Sequence, residues 1–144
     1  MLQAFHSSVK PIVAVVRGGA NGIAFTTLSL VDFLYVSPDV KMQTPFMNTF
    51  QSPEGASTMY FPEIFGRRKA AEILLLDQVV NAQDAVKYGF ANAVIPALQD
   101  EPDWFDLAKV PAIGKLLKMD YRTLVNCKQL INAAKENKKY EEVL

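Results

Sequence analysis

The chemistry available to this chain starts with Glu54, in Gln51-Ser-Pro-Glu-Gly55. Phe46, Met47, Phe50, Met59, Tyr60 and Phe61 lie close to it in sequence. A carboxylate in apolar surroundings holds a proton more tightly, which suits it to removing a proton beside a carbonyl. A helix N-terminus pulls the other way, toward the ionised form, and so favours a base over an acid. The same residues also have a purely structural reading. Ser52 as N-cap, Pro53 at the first helical position and Glu54 in the first turn make a conventional helix start, running to about Phe65. The residues alone leave both readings open.

The second stretch is Arg17-Gly-Gly-Ala-Asn-Gly22, between an apolar run and a helical segment. The first amides of a helix have no intrahelical partner, so they can hold a phosphate or a carbonyl oxygen that gains negative charge. The glycines at 18, 19 and 22 do not have the Gly-x-Gly-x-x-Gly spacing of dinucleotide sites, and no Gly-Lys-Ser/Thr follows as in a P-loop. A strand-to-helix turn that needs glycine for its backbone angles explains the loop equally without chemistry.

The composition narrows the classes. The 144 residues suit one domain able to bury roughly 68–70% of its unfolded surface. Lys and Arg number 15 and Asp and Glu 15, a balance that argues against a nucleic-acid binder resting on phosphate neutralisation. One cysteine, Cys127, excludes an internal disulfide and a cysteine-rich zinc site, and His6 as the single histidine argues against a histidine metal site, so no metal is expected. Cys127 is expected as a core or half-buried thiol. Apolar runs such as Ile12–Val16 fall far short of the ~20 residues that span a bilayer.

The elements that must position these residues alternate. Strands are expected at Ile12–Val16 (buried), Asp32–Ser37, Lys41–Thr44 and Phe90–Ile95, with helices at Ile23–Leu30, Arg67–Leu75, Ala82–Tyr88 and Tyr121–Asn137. Asn81 and Gly89 are expected to cap the third of these helices. Asp100–Pro111 reads as a connection in which Trp104 packs the last helices back on the core. Strands separated by helices imply an α/β fold.

Taken together, Lys10-Pro-Ile-Val-Ala-Val-Val-Arg-Gly-Gly-Ala-Asn-Gly22, Asp32-Phe-Leu-Tyr-Val-Ser37, Thr44-Pro-Phe46, Gln51-Ser-Pro-Glu-Gly-Ala-Ser-Thr58, Phe61-Pro-Glu-Ile-Phe-Gly66 and the tract from Lys69 to Val94 resemble the crotonase (enoyl-CoA hydratase/isomerase) superfamily. The Gln-Ser-Pro-Glu-Gly element is the most specific and is similar to peroxisomal-type Δ3,Δ2-enoyl-CoA isomerases. The resemblance implies a crotonase-like (ββα)n spiral, truncated at the N-terminus and shortened at the C-terminus, with residues 1–96 as partial core and 97–144 as the C-terminal helical region of the same domain.

It also implies a reaction. Hydratases of this family carry catalytic glutamates where this chain has Thr26 and Phe46, and isomerases of this type carry one where Glu54 stands. The Ile23 amide matches one oxyanion donor, and Gly22, Phe46 and Phe50 match the substrate pocket. The implied activity moves a double bond in an unsaturated fatty acyl-CoA by a single-glutamate proton shuttle, as in fatty acid β-oxidation. It needs no cofactor, because coenzyme A is part of the substrate. A homotrimer in the peroxisome or mitochondrion is implied as well. The alternative is a catalytically inactive crotonase-like module that binds acyl-CoA or protein. Chromodomain-Y-type corepressors carry such a domain, typically with aspartate at the position of Glu54.

Overall fold

A computed structural model describes residues 2–96 and 110–141. Its elements run α1 (Leu2–His6), β1 (Val13–Val16), β2 (Gly19–Asn21), α2 (Ile23–Thr26), a 3₁₀ turn (Thr27–Leu30), β3 (Phe33–Val36) and β4 (Lys41–Gln43). There follow α3 (Ser57–Phe65), α4 (Arg67–Leu75), β5 (Val80–Asn81), α5 (Ala82–Lys87), β6 (Ala93–Val94), α6 (Pro111–Leu116) and α7 (Tyr121–Glu141). The expected α/β character is observed. The connection carrying Trp104 lies outside the described residues, as does the division expected at residue 97.

The strands form two small sheets, ordered β1-β3-β6 and β2-β4-β5. β1, β3 and β6 are parallel, whereas β5 runs antiparallel to β4. β1 stands at the edge of its sheet, so Val13–Val16 are half-buried rather than enclosed as the apolar run suggested. The glycine stretch also departs from expectation. Gly19–Asn21 is a strand, pairing in parallel with Lys41–Gln43, because its backbone finds hydrogen-bonding partners distant in sequence. At β6 the ladder is two residues long and is extended by Asn92. Its amide donates to Leu34 O at 2.7 Å, and its Oδ1 accepts from Leu34 N at 2.7 Å.

The core is aromatic. Phe25 of α2 lies 4.9 Å from Phe61 and 5.2 Å from Phe90 between ring centroids, and Phe65 stacks on Phe90 at 5.0 Å. Phe25 and Phe61 are fully buried, and each such side chain contributes about 1.5–3 kcal/mol through removal from water. This cluster fastens α2 to α3, the helices that flank the candidate site. α4 matches its expected range and buries Ala70, Ile73 and Leu74, while Arg67 and Arg68 are exposed. α5 is capped as expected, with Asp84 N donating to Asn81 Oδ1 at 2.8 Å and Gly89 at φ 74°. On the other face of the first sheet, Ala112 N donates to the Tyr35 hydroxyl at 3.1 Å and docks α6.

The face that α7 buries differs from expectation. Cys127 is exposed, and Lys128 is buried instead, with its ammonium on Asp32 Oδ1. Among the described residues no helix is long and apolar enough to cross a membrane.

Candidate active site

Parallel pairing decides where the site forms. β2 and β4 run side by side in the same direction, so the segments that follow them emerge at the same end. After β2 comes Gly22, whose amide continues the ladder by donating to Gln43 O at 2.9 Å. Gly22 then turns the chain into α2 with φ 55° and ψ −124°, a conformation that favours glycine. Phe25 N and Thr26 N both return to Gly22 O at 3.0 Å. Ile23, as the first residue of α2, has no intrahelical acceptor for its own amide.

After β4 comes the segment that carries Glu54. It first coils through Pro45–Gln51, where Thr49 N donates to Pro45 O at 3.0 Å and Gln51 N to Phe46 O at 2.8 Å. Residues 51–54 are irregular, and α3 begins at Ser57. The helix start expected at Ser52 is therefore corrected. Gly55 at φ 66° and Ala56 at φ 60° are left-handed, a conformation that a helix beginning at Pro53 could not contain. Glu54 sits on a loop, held by the residue after it. Gly55 is pressed against α2 so closely that a Cβ there would lie 2.0 Å from Thr26 Oγ1 and 3.2 Å from Ile23 Cδ1.

The carboxylate and the glycine turn meet as a result. A Cβ on Gly22 would lie 3.9 Å from Glu54 Oε1, an ordinary van der Waals contact. Glu54 is nevertheless exposed, so the apolar enclosure suggested by its sequence neighbours is not formed. Those neighbours point elsewhere. Phe46 is 1% exposed and belongs to the core, backing the loop from inside, and Tyr60 and Phe61 are buried as well. Phe50 stands 98% exposed, at φ 55°.

Beside the turn, a cleft of ≈ 470 Å³ runs along β1 and α2, lined by Val15, Val16, Gly19, Ala20, Ala24 and Leu28 among others. Ser57, first in α3, has a buried hydroxyl without a partner among the described residues, a feature invisible in the sequence. Among the described residues, no three His, Cys, Asp or Glu side chains lie together as a metal site would require. What the arrangement offers is a carboxylate facing the unpaired amide end of a short helix. It can hold a carbonyl oxygen and move a proton next to it.

The enoyl-CoA hydratase/isomerase family model matches residues 1–143. The chain belongs to the enoyl-CoA hydratase/isomerase family. Mouse enoyl-CoA delta isomerase 3, peroxisomal, is 45% identical over 87 residues, which are 60% of this chain and 27% of that protein. Rat enoyl-CoA delta isomerase 2 is 42% identical over 106 residues, 71% of this chain and 27% of the relative. Human chromodomain Y-like protein is 29% identical over 136 residues, 94% of this chain and 23% of its own length. Among solved structures, Pseudomonas aeruginosa OdaA superposes with a TM-score of 0.82 at 31% identity, over 92% of this chain and 52% of that one. An enoyl-CoA hydratase from Mycobacterium avium subsp. paratuberculosis gives 0.80 at 27% identity, over 92% and 52%. The chain thus spans about a quarter of those curated relatives and about half of those solved structures.

Proposed function

We propose that this chain carries the proton-shuttling part of a Δ3,Δ2-enoyl-CoA isomerase. The observation that supports this reading best is how near Glu54 Oε1 lies to Gly22 at the head of α2, only 3.9 Å from where a Cβ on Gly22 would stand. The carboxylate of Glu54 takes a proton from C2 of a 3-enoyl thioester. The electrons of that C–H bond move into a C1–C2 double bond, and the carbonyl oxygen becomes an enolate oxygen. The Ile23 amide donates to that oxygen. Glu54 then returns the proton to C4, the carbonyl re-forms, and the double bond lies between C2 and C3. No water enters, and no electrons leave the substrate.

Thr26 and Phe46 support isomerisation over hydration. Adding water calls for both an acid and a base, and these two buried residues supply neither. The substrate is an unsaturated fatty acyl-CoA, with Gly22 and the exposed Phe50 beside its acyl chain as the family resemblance implies. No cofactor is needed beyond the coenzyme A of the substrate. A relative named as peroxisomal supports the peroxisome as the site of this activity; the mitochondrion, fatty acid β-oxidation and a homotrimer rest on the family resemblance alone.

The test is conversion of 3-enoyl-CoA to 2-enoyl-CoA by the chain and by Glu54→Gln. The variant keeps shape and hydrogen bonding but cannot take a proton, so turnover should fall by at least about a hundredfold. Equal rates would defeat the role of Glu54. The second reading, a binding module without catalysis, draws on the likeness to chromodomain Y-like protein across 94% of the chain. It is favoured if acyl-CoA binds equally to both forms and neither turns it over.

A further inference from the structure

Three non-glycine residues adopt positive φ among those described: Phe50 (55°), Ala56 (60°) and Asp77 (51°). Phe50 and Ala56 lie in the segment that carries Glu54. Asp77, far from them in sequence, reaches the same segment. Its Oδ1 accepts from Met47 N at 3.1 Å and its Oδ2 from Asn48 N at 2.8 Å. These are first-turn amides of the Pro45–Thr49 coil, which the coil itself leaves without acceptors, so Asp77 caps it from another part of the chain. A second tie lies nearby. The buried Thr44 hydroxyl donates to Ile73 O at 3.2 Å, in the last turn of α4, just before Asp77.

We propose that Asp77 is a positioning residue for the Glu54 site, a role that rests on the proton-shuttle reading above. By accepting both amides it holds the coil in place, so that Phe50 stands at its exposed end and the chain from Gln51 reaches back to the glycine turn. Its left-handed backbone carries the carboxylate to that position. Gly55, packed on Thr26, holds the far end of the segment, and Asp77 holds the near end. Between two fixed ends, Glu54 has little freedom to leave Gly22.

Two variants of the full chain separate the carboxylate from the backbone. Asp77→Gly relaxes the left-handed backbone but removes both acceptors, whereas Asp77→Asn keeps one acceptor. Three readouts are compared with the unaltered chain: hydrogen exchange of the Met47 and Asn48 amides, the nuclear Overhauser effect between Gly22 Hα and the Glu54 side chain, and kcat and KM on 3-enoyl-CoA. The expected result for Asp77→Gly is exchange at Met47 and Asn48 at least about tenfold faster and loss of the Gly22–Glu54 contact. With these, kcat should fall on the order of ten- to a hundredfold, as misplacement of a reacting group by about an ångström would cause. Asp77→Asn should fall between, and the thermal midpoint of each variant should stay close to that of the unaltered chain.

Persistence of the Gly22–Glu54 contact in Asp77→Gly would overturn the proposal, whatever happens to exchange. Unchanged kcat, in a chain whose Glu54→Gln form is inactive, would overturn it too. If the unaltered chain moves no double bond, or Glu54→Gln turns over as fast, the shuttle reading has failed. The contact between Gly22 and Glu54 then still decides whether Asp77 positions the loop.

Discussion

Gly55 and Thr26 are in such close contact that a methyl group on Gly55 would lie 2.0 Å from Thr26 Oγ1 and 2.7 Å from its Cβ. Both atoms belong to a side chain that is fully buried and rigidly held, since Thr26 follows Phe25 in α2 and Phe25 is enclosed by Phe61 and Phe90. The loop carrying Glu54 is therefore set against the aromatic core through a residue that has no side chain.

Gly55→Ala should cost about 2–4 kcal/mol, from left-handed backbone strain and overpacking against Thr26. Because Glu54 is the preceding residue, the turnover proposed for it should fall more than the loss of folded protein accounts for. Chemical denaturation and turnover per folded molecule check this. A variant with unaltered stability would show that the two segments are not in contact.

Lys128 and Asp32 tie α7 to the start of β3, with side-chain exposures of 6% and 18%. Asp32 also accepts from Ile12 N at 2.8 Å, so it joins three segments. Lys128→Met leaves that carboxylate with the backbone amide alone and should destabilise the chain by about 3 kcal/mol, as breaking a largely buried pair does. Adding Asp32→Asn should recover part of the loss. Urea unfolding of the two single variants and the double variant measures the coupling, and strict additivity would argue against the pair.

Tyr60 should make the chain sensitive to alkali. Burial first, and the charge of Glu63 second, raise its pKa above the ordinary 10.0. The folded state holds the phenolic proton more tightly than the unfolded state. This contribution to stability is complete below about pH 10 and is lost as pH rises through the folded value. Lys69, raised chiefly by its hydrogen bond to Glu72, acts in the same direction. Comparison with Tyr60→Phe isolates the tyrosine. Urea midpoints from about pH 8 to 11.5 should decline less steeply in the variant, and parallel curves would refute the assignment.

Much of the local structure was legible in the residues themselves. Asn81 and Gly89 mark the ends of α5, Arg67–Leu75 has a helical apolar spacing, and Phe33–Val36 is a compact β-forming run. Gly22 and Glu54 were singled out by motif resemblance. Their contact was not, because it depends on β2 pairing with β4, and Gly19-Ala-Asn21 has none of the β-branched character that marks a strand. Asp77 gave no signal either. Its role comes from two backbone amides about thirty residues away, and backbone donors are the same whatever the side chain.

Ser52-Pro-Glu54 shows the boundary most clearly. The residue types carry good helix-start chemistry, and the sequence alone determined that a helix lies downstream and that an acid precedes it. Only the tertiary structure decided that the helix waits until Ser57 and that Glu54 stands on a loop facing Gly22. Local preferences amount to about a kilocalorie per cap and can be met by several nearby starts. The close approach of Gly55 to Thr26 admits one course of the chain, and that contact spans elements whose pairing no local pattern encodes.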